Sequence, residues 1–184
     1  MNNPIKILVS FYNPGNYFDL CLNSLLNQKY DNYTIIFTDD SSIDGSFDKI
    51  PNKTNIVKIK NKERKMDALP NLHNMYLNYC DPEDVAIVVD GDDFLTNKNV
   101  LSYINDFYNK HNCLMMYGQS RWYKPEERFK RFEQKGLAYP ISKEQYDNLR
   151  NCLSFPFSHI RTFRAKAYHS IKEQDPEYNC LKDE

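Results

Sequence analysis

Four short apolar runs, IKILV at 5–9, YTIIF at 33–37, NIVKIKN at 55–61 and VAIVV at 85–89, alternate with stretches whose apolar residues recur at helical spacing. This alternation constrains the fold more than any other feature, because strands separated by helix-length segments pair in parallel and bury both faces of their sheet. Pro14 and Gly15 in SFYNPGN end the first strand. Tyr17, Leu20, Cys21 and Leu25 mark a helix after it, and Leu69, Leu72, Tyr76 and Tyr79 mark a second that begins around Pro70, where a first turn tolerates proline. Val100, Tyr103, Ile104, Phe107 and Tyr108 mark a third. LMMYG at 114–118 adds a strand, and FSHIRTFRA at 157–165 alternates, with Phe157, His159, Arg161 and Phe163 on one face. The expectation is an α/β fold with a mostly parallel central sheet flanked by helices.

A chain of 184 residues suits one domain with a sizeable core. Residues 120–156 are the exception to the alternation, a polar, aromatic and charged excursion with room for a short helix. Lys plus Arg total 24 against 25 for Asp plus Glu, so no basic field argues for nucleic acid. No apolar run reaches the roughly 20 residues of a membrane-spanning helix, and the amino terminus carries no apolar leader segment. Five scattered cysteines without a CxxC pair suggest neither a disulfide framework nor a zinc site, and with the other features predict a cytoplasmic setting.

The polar residues collect where the strands end. SFYN follows the first strand, TDDSSIDG the second and DGDDF the fourth, and in open parallel sheets ligands bind beyond these carboxyl ends. Asp90, Asp92 and Asp93 crowd three carboxylates after a buried strand, which is costly unless a cation or donor cluster sits among them. An EF-hand is excluded, since DGDDFLTNKNVL lacks the glycine at loop position six and the terminal Glu.

Taken together, LVSFYNPGNYFDLCLNSLLNQKYDNYTIIFTDDSSIDGS and the later VVDGDDF resemble glycosyltransferase family 2, whose domains have the GT-A fold. The resemblance implies a single Rossmann-like domain over 1–184, with a nucleotide-binding part at 1–119, the excursion at 120–156 and the start of an acceptor-side part at 157–184. It also implies a nucleotide-diphosphate sugar as donor, with a UDP-sugar favoured, and an unspecified acceptor hydroxyl. By resemblance, Ser10 and Tyr12 line the base pocket, Asp40 accepts the imide N–H of the base with Asp39 as its neighbour, and Asp90 lies against the ribose or a metal-bound water. Asp92 then joins Asp93 in holding Mn2+ or Mg2+, hard cations suited to carboxylate and phosphate oxygens.

A basic residue ahead of the fourth strand contacts the nucleotide in the family, and Arg64 and Lys65 stand near that place; a solvated charge run is the other reading. His159 and Arg161 fit a sugar or phosphate contact, or a packed histidine beside a surface arginine. Trp122 and Tyr123 fit an acceptor-stacking pair or a loop anchor. Inverting members use a late carboxylate as general base, and only Asp175, Asp183 and Glu184 are available here, none in a recognisable base motif. The resemblance implies a glycosyltransferase, but with no general base found the chain by itself is expected to bind the nucleotide and transfer little; a nucleotide-sugar-binding relative truncated before its base is the alternative, and a metal-dependent nucleotidyl- or phosphotransferase a third reading.

Overall fold

The computed structural model describes residues 1–120, 123, 141–148, 157 and 159–171. In chain order its elements are β1 (Ile5–Phe11), α1 (Tyr17–Leu26), β2 (Tyr33–Asp39), a 3₁₀ turn (Ser46–Lys49), β3 (Ile56–Lys60), α2 (Ala68–Tyr79), β4 (Val85–Asp90), α3 (Val100–Lys110), β5 (Met115–Tyr117), α4 (Lys143–Asp147), β6 (Arg161–Arg164) and α5 (Ala165–Ile171). The chain forms two compact units, one built from residues 1–114 and the segment returning at Phe163, the other from Met115–Thr162.

In the first unit the strands run in the order β3-β2-β1-β4-β6. β1 pairs in parallel with both β2 and β4, and β2 with β3. Ile7, Leu8, Val9, Ile35, Ile36, Phe37, Ala86 and Ile87 are all wholly buried, which is why these strands read as continuous apolar runs instead of an apolar–polar alternation. Each such Ile, Leu or Phe stabilises the fold by about 1.5–3 kcal/mol through the surface it removes from water. The strand order reverses at β1, so a crevice opens at the carboxyl ends between the two directions of growth. Ser10 stands level with Thr38 and with Asp90 in the register, and Phe11 with Asp39. The three strands thus deliver their polar loops at one height.

The helices cover this sheet with faces slightly turned from those expected. α1 buries Phe18, Cys21, Leu22 and Leu25, whereas Tyr17 and Leu20 remain 41% and 36% exposed. Phe18 sets the rotation, since its ring packs 4.7 Å from that of Phe11 and 6.1 Å from that of Phe37. α2 begins at Ala68, two residues before Pro70, where the Asp67 carboxylate accepts the Leu69 N–H at 2.9 Å. Its buried side chains are Asn71, His73, Met75 and Tyr76, and Leu72 and Tyr79 pack partly buried against a core cluster containing Leu8, Ile36, Ala86 and Ala165. α3 buries Leu101, Ile104 and Tyr108. α5, which no apolar spacing announced, fastens to α2. There the Tyr168 ring stacks on Tyr76 at 4.3 Å, its hydroxyl bonds His73 Nδ1, and His169 Nε2 donates to the Cys80 carbonyl at 3.0 Å.

In the second unit β5 pairs with the start of β6. The Gly118 N–H donates to Ile160 O at 2.9 Å and Thr162 Oγ1 to Met116 O at 3.3 Å. The strand expected over 157–165 is, among the described residues, only Arg161–Arg164, since the chain bends at His159 and Ile160 just before it. α4 is the short helix of the polar excursion, started by a capping box in which Ser142 and Gln145 exchange hydrogen bonds. Among the described residues no helix is long and apolar enough to cross a membrane.

Candidate functional site

The loops after β1, β2 and β4 close on one another through side chains that the sequence supplies in order. The Asp39 carboxylate accepts the Ser42 N–H at 2.8 Å, and Ser42 Oγ accepts the Asn13 N–H at 2.9 Å. Asn13 Oδ1 in turn accepts the Ile43 N–H at 2.9 Å, and Asp44 accepts the Gly15 N–H at 3.0 Å. TDDSSIDG is thus a clamp on SFYNPGN. Asn13, Ser41 and Met66 have φ of 44°, 68° and 67°, left-handed values that non-glycine residues adopt at a cost. The clamp's hydrogen bonds hold Asn13 in that conformation, and Asn13 and Met66 both line the cleft that results. Gly91 is required by a close approach, since a Cβ there would fall 2.3 Å from Cβ of Phe11.

The cleft has a volume of about 340 Å³ and is walled by Ser10, Tyr12, Asp40, Arg64, Asn71 and Asp90–Asp92, with Asp67 and Ala68 from the start of α2. This size lies within the range of small-molecule sites. The Arg64 guanidinium rests over the Tyr12 ring, 3.6 Å from its centre, a cation–π contact at the mouth. Four of the lining residues are carboxylates and one is a guanidinium, so the cleft is strongly acidic.

Asp40 is buried. Its Oδ1 accepts from Asn61 Nδ2 at 2.7 Å and from the Lys65 N–H at 2.9 Å, and the same N–H reaches Oδ2 at 3.1 Å. Burial alone pushes its pKa up, but the donors Lys65 N–H, Asn61, Asn71 and Met66 N–H outweigh it and hold the carboxyl below its usual range. Asp40 is therefore a fixed, ionised acceptor. Lys65 contributes to the site through its backbone, and its side chain is not among the cleft walls. Asp39 is likewise not a wall. It is fully buried, with Oδ2 3.5 Å from Lys60 Nζ, and works as the anchor of the clamp.

In the DGDD loop the Asp93 N–H donates to Asp90 O at 3.0 Å, a turn that brings carboxylate oxygens of Asp90 and Asp93 within 4.8 Å of each other. Asp92 faces the cleft beside Asp90. Behind them the Cys21 thiol donates to Asp90 O at 3.7 Å. Its pKa is pushed up to about 12, first by burial and then by the charges of Asp93, Asp92 and Asp90. The thiol stays protonated and offers no soft ligand, so the loop's donor set is carboxylate oxygen, which fits magnesium or manganese.

In the second unit an Arg161 Nη lies 2.5 Å from His159 Nε2. Trp122, Asp175, Asp183 and Glu184 lie outside the described residues, as does most of the 120–156 excursion. Asn71, which lines the cleft, and Asn61, which bonds Asp40 and Asn71 behind it, were not singled out from the sequence. An asparagine after a strand or in a helix's first turn has the look of turn and cap chemistry, and only the folded register brings the two together.

A parallel sheet with an acidic cleft at its switch point defines an α/β domain of the class that binds ligands at the carboxyl ends of its strands. The sequence model of the family Glycosyl transferase family 2 matches residues 6–172, and the chain belongs to that family. Glycosyltransferase GlyG of Streptococcus pneumoniae serotype 4 is 34% identical over 98 residues, covering 52% of this chain and 32% of its own length. Among solved structures, S. aureus TarS 1–349 in complex with UDP superposes with a TM-score of 0.70 at 18% identity, over 94% of this chain and 50% of that one. The mannosyltransferase PcManGT from Pyrobaculum calidifontis, in complex with GDP-Man and Mn2+, does so with a TM-score of 0.56 at 13% identity, over 69% and 37%. These structural likenesses are of fold, the GT-A type, and the chain spans about a third of GlyG and half or less of the other two.

Proposed function

We propose that the chain binds a nucleoside-diphosphate sugar, a UDP-sugar in preference, and serves its transfer to an acceptor hydroxyl. The observation that carries this reading is the convergence of Ser10–Tyr12, Asp40 and Asp90–Asp92 on one cleft at the carboxyl ends of β1, β2 and β4. Asp40 is an ionised acceptor suited to a base N–H, the Tyr12 ring offers a flat face, and Arg64 beside it is the one cationic wall, within range of an anionic ligand. The TarS fragment bound to UDP, and the same fragment bound to UDP-GlcNAc, support this class of donor on the shared fold.

Four carboxylates against one guanidinium would by themselves repel a diphosphate. A divalent cation resolves the conflict, and Asp90, Asp92 and Asp93 are the residues that would hold it, the first and last already within reach of one ion. When bound, Mn2+ or Mg2+ supplies positive charge that stabilises a departing diphosphate without proton transfer. The complex of PcManGT with Mn2+ is in keeping with this. For the base that deprotonates the acceptor, the late acids Asp175, Asp183 and Glu184 remain the candidates, and His159 and Arg161 the candidate sugar or phosphate contacts. Cys21, Cys80 and Cys113 are free thiols, which suits the cytoplasmic setting read from the sequence.

Calorimetry with UDP, GDP and TDP, each with manganese and with chelator, tests the reading. UDP should bind in manganese and weakly in chelator. Equal affinity in both would remove the metal, and no binding of any nucleotide would remove the reading itself.

A further inference from the structure

A chain of amide hydrogen bonds runs along the inner wall of the cleft and ends on Asp40. Asn71 Nδ2 donates to Ser10 Oγ at 3.3 Å, Asn71 Oδ1 accepts from Asn61 Nδ2 at 2.8 Å, and Asn61 Nδ2 spends its second hydrogen on Asp40 Oδ1 at 2.7 Å. Asn71 is buried, and Asn61 is fixed at the end of β3 by its own N–H, which donates to Asp39 O at 2.9 Å. The two asparagines therefore have no freedom to flip their amides without breaking at least two bonds. Nothing in their placement contributes apolar burial. Their work is to orient Ser10 and Asp40, the two groups that face the ligand.

The arrangement also limits what Asp40 can still accept. A carboxylate offers about four lone-pair positions. Oδ1 holds two donors, Asn61 and the Lys65 N–H, Oδ2 takes the longer branch of the same Lys65 N–H, and Asn71 and the Met66 N–H also donate to the carboxylate. These donors leave little of the carboxylate's acceptor capacity for a ligand. Ser10 Oγ, which already accepts from Asn71, keeps its own hydrogen as a donor. The wall thus offers one acceptor and one hydroxyl donor. Uracil presents a single N–H between two carbonyl oxygens and matches this pattern. Guanine presents two adjacent N–H groups that want both carboxylate oxygens, while cytosine and adenine put a lone pair where the carboxylate's charge is.

We propose that Asn61 and Asn71 are specificity-positioning residues, which fix Asp40 as a narrow acceptor beside the Ser10 hydroxyl donor and so restrict the donor to a uracil-type base over guanine, cytosine and adenine. This rests on the reading of the cleft as a nucleotide site. The distinction matters because the shared fold does not decide it: the structural neighbours were captured with UDP in one case and GDP-Man in the other.

The test measures dissociation constants for UDP, GDP and CDP in saturating manganese and takes their ratios, in which diphosphate and metal contributions cancel. Wild-type protein should prefer UDP over both by about tenfold or more, the selectivity expected when the wrong base leaves a buried polar group unpaired. Asn61→Leu should bring both ratios to within about threefold of unity, and Asn71→Asp, which keeps the side-chain shape and the acceptor for Asn61 but removes the donor to Ser10, should move them the same way by less. Asn61→Ser, which restores one donor, should recover part of the preference. Circular dichroism identifies any variant that fails to fold, and Asn71→Asp alone then decides. Ratios unchanged in the folded variants, or a wild-type preference for GDP or CDP, would overturn the inference while leaving the nucleotide site intact. Wild-type protein that binds none of the three would instead overturn the proposed function, and this inference with it.

Discussion

Asp40 meets more protein donors than an aspartate at a strand end ordinarily does, and two measurable consequences follow. Its folded-state pKa lies below the usual carboxylate range, so it contributes stability that is present above the unfolded value and lost as pH falls through the folded one. Urea unfolding should show stability declining below about pH 4, the ordinary aspartate range, with Asp40→Asn flattening part of that decline. The same substitution turns an acceptor into a group that offers a donor to a donor, and UDP affinity should drop by about 1–3 kcal/mol, read by calorimetry. At this scale the sequence showed Ser10, Tyr12, Asp40, Asp90 and Asp92 because they stand immediately after apolar strands, where the sheet itself dictates position. Asn61, Asn71 and Arg64 were harder. Arg64 was flagged with a solvated run as the other reading, and the two asparagines were silent, because their roles depend on the pairing of β3 with β2 and on the angle at which α2 enters.

Among the elements, α2 does the most to shape the cleft, because its first turn supplies Asp67, Ala68 and Asn71 to the wall. That turn is set by the Asp67 cap on the Leu69 N–H. Asp67→Ala should cost about 1 kcal/mol of stability, seen as a lower thermal midpoint. Helix existence was legible from spacing, but helix rotation was not. In α1 the apolar residues Tyr17, Phe18, Leu20, Cys21, Leu22 and Leu25 allow more than one face, and only the packing of Phe18 between Phe11 and Phe37 selects one. The alternation at 157–165 overstated its strand, since side-chain alternation does not reveal the bend at His159 and Ile160.

For the whole molecule, the topology makes the site a product of three strand ends that are far apart in sequence, and binding must therefore report on the global fold. Manganese and UDP together, at a hundred times the dissociation constant, should stabilise the folded state by about 2.7 kcal/mol. A thermal-shift assay should show that gain vanish when a chelator replaces the metal.

The register of the first unit has a further meaning as a gauge of length. β2 and β4 flank β1 with matched ends, Ser10 standing beside both Thr38 and Asp90. Two strand spacings, about 9.6 Å, thus separate the backbone that presents Asp40 from the backbone that presents the acidic loop. That interval is rigid, since it is held by the hydrogen-bonded ladder and not by side chains. A ligand that uses both ends must be long enough to bridge them, which under the proposed function favours a nucleoside diphosphate over a monophosphate. UMP should gain much less than UDP from added manganese in a calorimetric comparison. An equal gain for the two would mean that the strand spacing sets no length requirement.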